Sequence, residues 1–350
     1  MDQPIKPKNA IALEVDDSAV RLACIGRHRN ALELDSWNSI ELPQNAVSNG
    51  LILKPDIVRA AILSAIQTAH GRHSTPRYVA LTIPEPHVFV TSSLIQDSGD
   101  VTHETIESTT LQNVPFPIED VQIDWSTIDK TPQGSLVLIG AIPKDIIQSY
   151  VALIHGAGLV PLIIEPESAA LARAMFGRPL AARNALVIDF GQAVTTILVC
   201  QNGVVRFSSS ASQFSGSELT QTISSHLELT LVQAEKAKRL FGLLPKQSKG
   251  EVRKVLLPGA NLLIKRIEEI EAYVSSHISL PLKRVTDVIL TGGGSQLPGL
   301  IEFLGAELRL PVTAPLPSEI HKISIKPGLL TDDNQRSLCT VLGSALRLTL

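Results

Sequence analysis

Two acidic residues, Glu14 and Asp189, lie 175 residues apart, each inside an apolar segment that a tight turn and a second apolar segment follow. A carboxylate in an apolar strand is costly unless it is paired or faces a cation. If the segments are copies of one β-hairpin, their acids face each other and can bind Mg²⁺, which prefers carboxylate, water and phosphate oxygens. The backbone N–H groups of both turns would then bind phosphates from two sides. For either acid alone, the alternative is an ion pair with a nearby lysine or arginine.

A third segment with a chemical pattern is TGGGSQLPG, residues 291–299, which lies between an apolar strand and a helical pattern. Its three adjacent glycines, Gly292, Gly293 and Gly294, let the backbone approach a ligand closely, and the start of the following helix attracts anions. The pattern differs from the dinucleotide fingerprint G-x-G-x-x-G and lies late in the chain. We expect the segment to contact a phosphate or a ribose, with a plain glycine-rich turn as the alternative.

Composition and charge exclude several classes of protein. The net charge is −3 and the pI is near 6.3, so the chain has no basic surface of the kind that nucleic acid requires. The three cysteines are far apart in sequence and show no metal-binding or redox spacing, which is typical of a protein in the reducing cytosol. The longest mainly apolar run, residues 150–164, contains glycines and a proline and is too short to span a membrane.

The elements that must position these residues alternate between strands and helices in both halves of the chain, which indicates α/β layers. The pattern changes after residue 84 and returns to the first type near residue 159. We expect a flexible N-terminal tail over residues 1–9 and an inserted subdomain over 85–158. We expect a first domain over 10–84 and 159–182, joined by a C-terminal helix over 335–350, and a second domain over 183–334 with a helical part at about 213–280.

Several motifs resemble those of the actin, Hsp70 and sugar-kinase superfamily, and within it those of the PilM family of type IV pilus assembly. ALVIDFGQAVTTILVCQNG resembles the second phosphate motif, TGGGSQLPGL the adenosine motif and IEPESAALARA the motif that connects the halves. The phrases NVPFPIEDVQIDW, IPKDIIQSYVALIHGAGLVPLI and FSGSELTQTI are similar to PilM, and the cell-division protein FtsA is similar more distantly. The resemblance covers nearly the whole chain. It implies an actin-like ATPase fold of two duplicated α/β domains, with a nucleotide cleft between them and an inserted subdomain of the FtsA and PilM type.

The resemblance also implies ATP and Mg²⁺ as cofactors and assigns roles to residues. Glu14 and Asp189 are the implied metal ligands, and Glu165 is the implied residue that positions the attacking water. For Glu165 the alternative is an ion pair with Arg173, and for Glu235 and Lys238 it is a surface ion pair. The implied nucleotide contacts are Asp16, Asp17, Ser18, Asp189, Gly191, Gln192, Thr195, Thr196, Gly216, Glu235, Lys238, Gly292, Gly293, Gly294 and Ser295.

The first hairpin departs from the superfamily pattern, in which an aspartate is followed two residues later by glycine and then by small hydroxyl residues. Here those positions hold Glu14, Asp16, Asp17 and Ser18. A carboxylate about 4 Å from a phosphate oxygen is repelled by roughly 4 kcal/mol at an effective dielectric constant of about 20. Unless Mg²⁺ lies between them or the side chain turns to solvent, that repulsion equals about three decades of affinity. We therefore expect weakened phosphate binding.

The function implied by the resemblance is a cytoplasmic adaptor of a type IV pilus or related secretion platform. Such a protein binds the cytoplasmic N-terminal tail of a bitopic inner-membrane protein of PilN type, in a groove beside the insertion, and is peripheral to the membrane through that partner. At most a weak ATPase activity is expected. A scaffold that has lost nucleotide binding is the first alternative, and a small-molecule kinase of the same superfamily is the second. Self-association is left open.

Overall fold

The computed structural model describes residues 9–72, 75–96, 101–111, 117–177, 183–245, 250–277 and 284–349. Residues 1–8 of the predicted tail and residue 182, where the first domain is predicted to end, lie outside the described residues. The same holds for residues 113–116 of the quoted phrase NVPFPIEDVQIDW.

The first sheet has six strands, in the order β11-β7-β1-β2-β3-β6. Its central strands are apolar and buried on both faces, as the near-continuous apolar runs of the sequence predict. The six strands are β1 Ala10–Val15, β2 Ala19–His28, β3 Ala31–Glu41, β6 His70–Gly71, β7 Tyr78–Ile83 and β11 Val160–Pro166. The short strands β4 Val47–Ser48 and β5 Leu51–Ile52 form a separate pair.

The second sheet has eight strands, in the order β16-β15-β12-β13-β14-β8-β10-β9. These are β8 Phe89–Ile95, β9 Val121–Thr131, β10 Gly134–Pro143, β12 Asn184–Phe190, β13 Thr195–Gln201, β14 Val204–Ala211, β15 Asp287–Thr291 and β16 Val312–Thr313.

The two sheets repeat one topology. In the first, β1 pairs with β7 in parallel and with β2 in antiparallel orientation, and in the second β12 pairs with β15 and β13 in the same two ways. Glu14 is opposite Arg21 and Thr82, whereas Asp189 is opposite Thr196 and Thr291. The duplication predicted from the 175-residue offset is therefore present, with the two acids at equivalent positions of equivalent strands.

Helices cover both sheets. Helices α1 Pro55–Gln67 and α3 Lys144–Gly156 share a core with the first sheet, and α5 Gly216–Leu227, α6 Leu231–Phe241, α7 Glu251–His277 and α8 Leu300–Leu308 share one with the second. The remaining helices are α2 His103–Leu111, α4 Glu167–Met175, α9 Pro317–His321, α10 Asp332–Ser337 and α11 Cys339–Arg347. Pro55 begins α1, where its missing N–H is not needed, and Thr230 and Gln233 form a capping box at the start of α6. Within the described residues, no helix is both long and apolar enough to cross a membrane.

Helices α4 and α11 connect the two sheets. Helix α4 packs on β13 and β14, α11 packs on β1 and β2, and the two helices pack on each other. Their contact is close at Gly343, where a Cβ atom would meet the carbonyl oxygen of Ala170. The cleft residues at the start of α11 are positioned by this contact.

The segment predicted as an inserted subdomain, residues 85–158, contributes to both halves. Its strands β8, β10 and β9 continue the second sheet, which they join where Thr91 of β8 pairs with Phe207 of β14. They also form a small core of their own with α2. Helix α3 instead places Tyr150 and Ile154 in the core of the first sheet. The predicted range thus covers two packing units, and the domain boundaries stay predictions.

Candidate functional site

A cavity of about 240 Å³ lies where the turns of the two hairpins, the loop after β15 and the start of α11 meet. It brings together many of the residues predicted from the sequence, namely Glu14, Asp16, Asp17, Asp189, Gly191, Gln192, Thr196, Gly292 and Gly293. The other predicted residues do not line it, namely Ser18, Glu165, Thr195, Gly216, Glu235, Lys238, Gly294 and Ser295.

The predicted pair of acids, Glu14 and Asp189, reaches the cavity from the two hairpins. Burial raises the pKa of Glu14 to about 8, although the charge of Arg21 lowers it. Burial likewise raises the pKa of Asp189 to about 7, again against the effect of Arg21. Glu14 Oε2 is buried and has no hydrogen-bond partner among the described residues. These carboxyl groups therefore gain from either a proton or a cation.

Arg21 is absent from the residues predicted for the site, yet it lies at the centre of the first hairpin. It projects from β2 directly opposite Glu14, and its Nη1 donates to Glu14 Oε1 at 3.1 Å and to Asp16 Oδ2. Its Nη2 donates to Ser18 Oγ at 3.0 Å. The sequence contains the signal, because in a hairpin with this turn an acid and a base seven residues apart become cross-strand partners. The alternative considered for a single acid, an ion pair with an arginine, is present at Glu14.

The turn of the first hairpin closes on the side chain of Asp16. Asp16 Oδ1 accepts hydrogen bonds from the Ser18 N–H at 2.7 Å, the Ser18 hydroxyl at 2.7 Å and the Ala19 N–H at 2.8 Å. Burial opposes ionisation of this carboxyl group, but Arg21 and the hydrogen bonds from Ser18 hold its pKa below the usual value. The charge of Asp16 is thus balanced by Arg21, which the repulsion argument from the sequence does not include. The turn has few free N–H donors, because among its backbone N–H groups only that of Asp17 has no partner among the described residues.

Asp17 connects the first hairpin to the turn between β4 and β5. Its carboxylate accepts hydrogen bonds from the backbone N–H groups of Asn49 and, at 2.8 Å, Gly50. Asp17 therefore positions the neighbouring turn while its side chain lines the cavity.

The second hairpin has an open turn. The Gly191 N–H donates to the carbonyl oxygen of Val194 at 3.1 Å, whereas the N–H groups of Gln192, Ala193 and Val194 have no partner among the described residues. The buried Thr195 hydroxyl donates to the carbonyl oxygen of Phe214 and shapes the turn from behind. Three backbone donors thus remain available at a turn that lines the cavity, which is the arrangement that binds phosphate oxygens.

The glycine loop packs against the second hairpin. Gly292 has φ +80° and ψ 167°, and a Cβ atom there would lie 2.6 Å from Asp189 Oδ1. Gly294 lies over the ring of Phe190, and the buried Ser295 donates its N–H and hydroxyl to the Gly292 carbonyl oxygen. Gly292 and Gly293 therefore line the cavity, while Gly294 and Ser295 shape the loop.

Glu235 and Lys238 of α6 form an ion pair at 2.7 Å. Lys238 Nζ also donates to the Gly216 carbonyl oxygen at 2.7 Å and to the Thr220 hydroxyl at 2.8 Å. This geometry fits the ion-pair alternative, in which the pair connects α6 to the start of α5. Arg239, one residue further along, lines the cavity and was not among the predicted residues.

Glu165, the predicted catalytic residue, is 1% exposed and pairs with two arginines. Arg173 donates to both of its oxygens at 2.9 and 2.7 Å, and Arg347 of α11 donates at 2.6 Å. This geometry fits the alternative considered for Glu165, a paired glutamate at the end of a strand. Glu167 lines the cavity instead. Burial and the charges of Asp189, Glu14 and Glu85 raise its pKa well above the usual value.

The residues present fit part of a magnesium nucleotide. The open second hairpin and the glycine loop fit phosphate and ribose groups, and Glu14 Oε2, Glu167 and Asp189 offer carboxylate oxygens. Across the described part of the chain, no three histidine, cysteine, aspartate or glutamate side chains are arranged to hold a metal ion by themselves. The first hairpin fits a phosphate poorly, because the N–H groups of Ser18 and Ala19 already bind the side chain of Asp16.

The comparisons with known proteins agree with this fold. FtsA, the cell division protein of Neisseria meningitidis serogroup B, is 25% identical, over 89% of this chain and 84% of FtsA. A PilM-PilN type IV pilus biogenesis complex is similar in structure with a TM-score of 0.81, at 21% identity over 98% of this chain and 99% of that chain. MreB5 of Spiroplasma citri bound to ADP has a TM-score of 0.52, at 13% identity over 97% of this chain and 96% of that chain.

These likenesses confirm the predicted actin-like ATPase fold. The sequence also matches the family described as "Type IV pilus assembly protein PilM" over residues 12–349. Because that match spans nearly the whole chain, the protein belongs to the PilM family of type IV pilus assembly proteins.

Proposed function

We propose that this chain is a cytoplasmic, nucleotide-binding adaptor of the type IV pilus assembly platform. It binds the cytoplasmic tail of an inner-membrane partner of PilN type and hydrolyses ATP slowly or not at all. The observation that carries the proposal is the similarity, over 98% of this chain, to a PilM-PilN complex at a TM-score of 0.81. The family match over residues 12–349 supports it.

The surface beside the insertion supports a peptide-binding role. Leu51, Leu53 and Ile57 are 43%, 52% and 40% exposed, and they lie on β5, between β5 and α1, and in the first turn of α1 respectively. Strand β5 contacts α3, and Gly50 approaches His87 at the beginning of the insertion. Exposed apolar side chains that lie close together on a surface are typical of protein-binding sites. We place the partner's tail on this surface.

The cleft supports weak nucleotide binding and slow hydrolysis. Donors remain at the second hairpin and the glycine loop, whereas in the first turn only the Asp17 N–H has no partner among the described residues. Glu165 is held by two arginines and so is not free to position a water molecule. Glu167 is the acid available to the cavity at this strand end, and burial raises its pKa well above the usual value.

The adaptor role is tested by fluorescence anisotropy with a labelled peptide of the N-terminal tail of the PilN-like protein encoded by the same genome. We expect saturable binding, and at least tenfold weaker binding by Leu53→Asp. Leu262→Asp is the matched control, because Leu262 is 54% exposed on α7 in the second half. Failure of the wild-type chain to bind the tail contradicts the adaptor role.

The first alternative, a scaffold without nucleotide, is favoured by the closed first hairpin. Titration calorimetry with ATP and Mg²⁺ distinguishes this scaffold from the nucleotide-binding adaptor. Measurable binding heat for the wild-type chain supports a nucleotide-binding adaptor, and tail binding without any nucleotide binding supports the scaffold.

A further inference from the structure

The repeat makes the two hairpins comparable position by position. Asp16 corresponds to Gly191 and Arg21 to Thr196, because both pairs lie at the same offset as Glu14 and Asp189. The strands on either side have the same directions and the same register at the two acids. The turns also differ at Asp17 and Ser18, which correspond to Gln192 and Ala193, but the ion pair inside the turn is formed by Asp16 and Arg21 alone.

The carboxylate of Asp16 makes the contacts that a phosphate oxygen makes in an open turn. It accepts the N–H groups of Ser18 and Ala19 and the Ser18 hydroxyl, all within 2.8 Å. The corresponding turn of the second hairpin leaves the Gln192, Ala193 and Val194 N–H groups without partners among the described residues. The first turn thus already binds an anion, which is the side-chain carboxylate of Asp16.

The guanidinium group of Arg21 supplies the positive charge that accompanies this anion. It lies between Glu14 Oε1, Asp16 Oδ2 and the Ser18 hydroxyl, and the Arg21 side chain is 12% exposed. A cation that bridges the strand carboxylate and the anion in the turn has the position that a metal ion would need between Glu14 and a phosphate. Arginine suits this place because its planar group makes several directed hydrogen bonds at once.

We propose that Asp16 and Arg21 are an internal ligand, which occupies the place of a nucleotide's third phosphate and its cation in the first hairpin. The consequence is a specificity: the cleft gains nothing from the third phosphate, so ATP and ADP bind equally well. This deepens the proposed function, since it rests on nucleotide binding at the second hairpin and glycine loop, but it is independent of tail binding.

The test replaces Asp16 and Arg21 of the first hairpin by the residue types found at the equivalent positions of the second, glycine and threonine. In Asp16→Gly/Arg21→Thr, the turn N–H groups become free and the internal cation is removed. Calorimetry with Mg²⁺ is expected to give ATP and ADP dissociation constants within about threefold of each other for the wild type. For the double variant we expect ATP to bind at least tenfold more tightly than ADP, which is about 1.4 kcal/mol. A wild type that prefers ATP tenfold, or a folded double variant without any preference, overturns the proposal.

Thermal unfolding gives a second readout that does not depend on catalysis. The double variant without nucleotide is expected to melt at a lower temperature than the wild type, and ATP with Mg²⁺ should restore more of the loss than ADP does. Equal shifts with the two nucleotides contradict an internal ligand.

A milder variant keeps the proposal testable if the double variant does not fold. Asp16→Asn retains the oxygen that accepts from Ser18 and Ala19 but removes the charge that binds Arg21. Arg21 then becomes available to a third phosphate, and we expect the preference for ATP over ADP to rise at least threefold. An unchanged preference overturns the proposal. If the wild type binds neither nucleotide but the double variant gains ATP, the proposed nucleotide role fails while the internal ligand is upheld.

Discussion

The two hairpins that meet at the cleft share strand order, direction and register, but they differ in what fills their turns. The first turn binds its own aspartate and arginine, and the second leaves three N–H groups without partners among the described residues. The difference shows that a duplicated backbone can keep its geometry while one copy loses most of its free donors. Strand pairing is the same in both copies because the apolar pattern of the strands and a turn of the same length set the register.

The largest expected effect comes from breaking the charge pair of the first hairpin. Arg21→Met leaves Glu14 and Asp16 without their cation, and we expect the free energy of unfolding to fall by about 3 kcal/mol. That is the lower end for a buried pair, because the Asp16 side chain is 34% exposed. Thr196→Val at the equivalent position of the second hairpin is the control, with an expected loss below about 1 kcal/mol. Urea unfolding at neutral pH measures both, and equal losses would remove the distinction between the hairpins.

The next effect concerns the glycine loop that supports the second hairpin. Gly292→Ala forces a side chain into a backbone region that essentially only glycine adopts and brings Cβ to 2.6 Å from Asp189 Oδ1. We expect a loss of roughly 2 to 3 kcal/mol together with loss of nucleotide binding. Gly328→Ala is the control, because Gly328 also has a positive φ, +77°, but a Cβ atom there would have no other atom within 4 Å. A loss no greater than that of the control would mean that the loop tolerates a side chain beside Asp189.

The acids of the cleft predict a dependence of stability on pH. Folding raises the pKa of Glu14 to about 8 and that of Asp189 to about 7, mainly through burial. For an acid with a raised pKa, the stabilisation is complete below the unfolded value and is lost as pH rises through the folded value. In metal-free buffer we therefore expect the free energy of unfolding to fall by several kcal/mol between about pH 5 and pH 8.

Glu14→Gln gives the matched measurement for this pH dependence. The variant should lose the part of the decrease that Glu14 causes and retain the parts that the other buried acids, Asp189 and Glu167, cause, because glutamine does not titrate. Asp16 adds no pH dependence of stability in this range, because Arg21 holds its pKa below the usual value. Urea unfolding at intervals of one pH unit distinguishes the variants, and a wild-type curve that is flat from pH 5 to pH 8 contradicts the expectation.

The smallest expected effect is a difference in stability between variants of Asp17 and Gln192, the second residues of the two turns. Asp17 accepts hydrogen bonds from the Asn49 and Gly50 N–H groups, so Asp17→Ala should cost about 1 kcal/mol. Gln192, at the equivalent position, is exposed, and its side chain makes no hydrogen bond to the described residues. Gln192→Ala should therefore change the stability by less than about 0.5 kcal/mol. The order of the two losses, measured by thermal unfolding, is the informative quantity.

The fold could be predicted from the sequence because its signals are local and repeated. Apolar strands, the two acids at one offset and the glycines after β15 each mark a position within one short segment. The pairing of Arg21 could also have been predicted, but only by aligning the two strands of the hairpin across the turn. Glu165 and Glu167 could not be distinguished, because Pro166 lies between them and only the packing of α11 decides which one meets Arg347. Glu235 and Lys238 were equally ambiguous, since a spacing of three suits both an ion pair and a binding site.

The insertion has a consequence for how the two halves of the molecule are connected. Its strands continue the second sheet, whereas the helix that follows them, α3, lies in the core of the first sheet. The segment therefore packs into both halves of the molecule, and any rotation of the halves about the cleft would have to be accommodated within it. If the partner's tail binds beside the insertion, as proposed above, tail binding and opening of the cleft are coupled through this one segment.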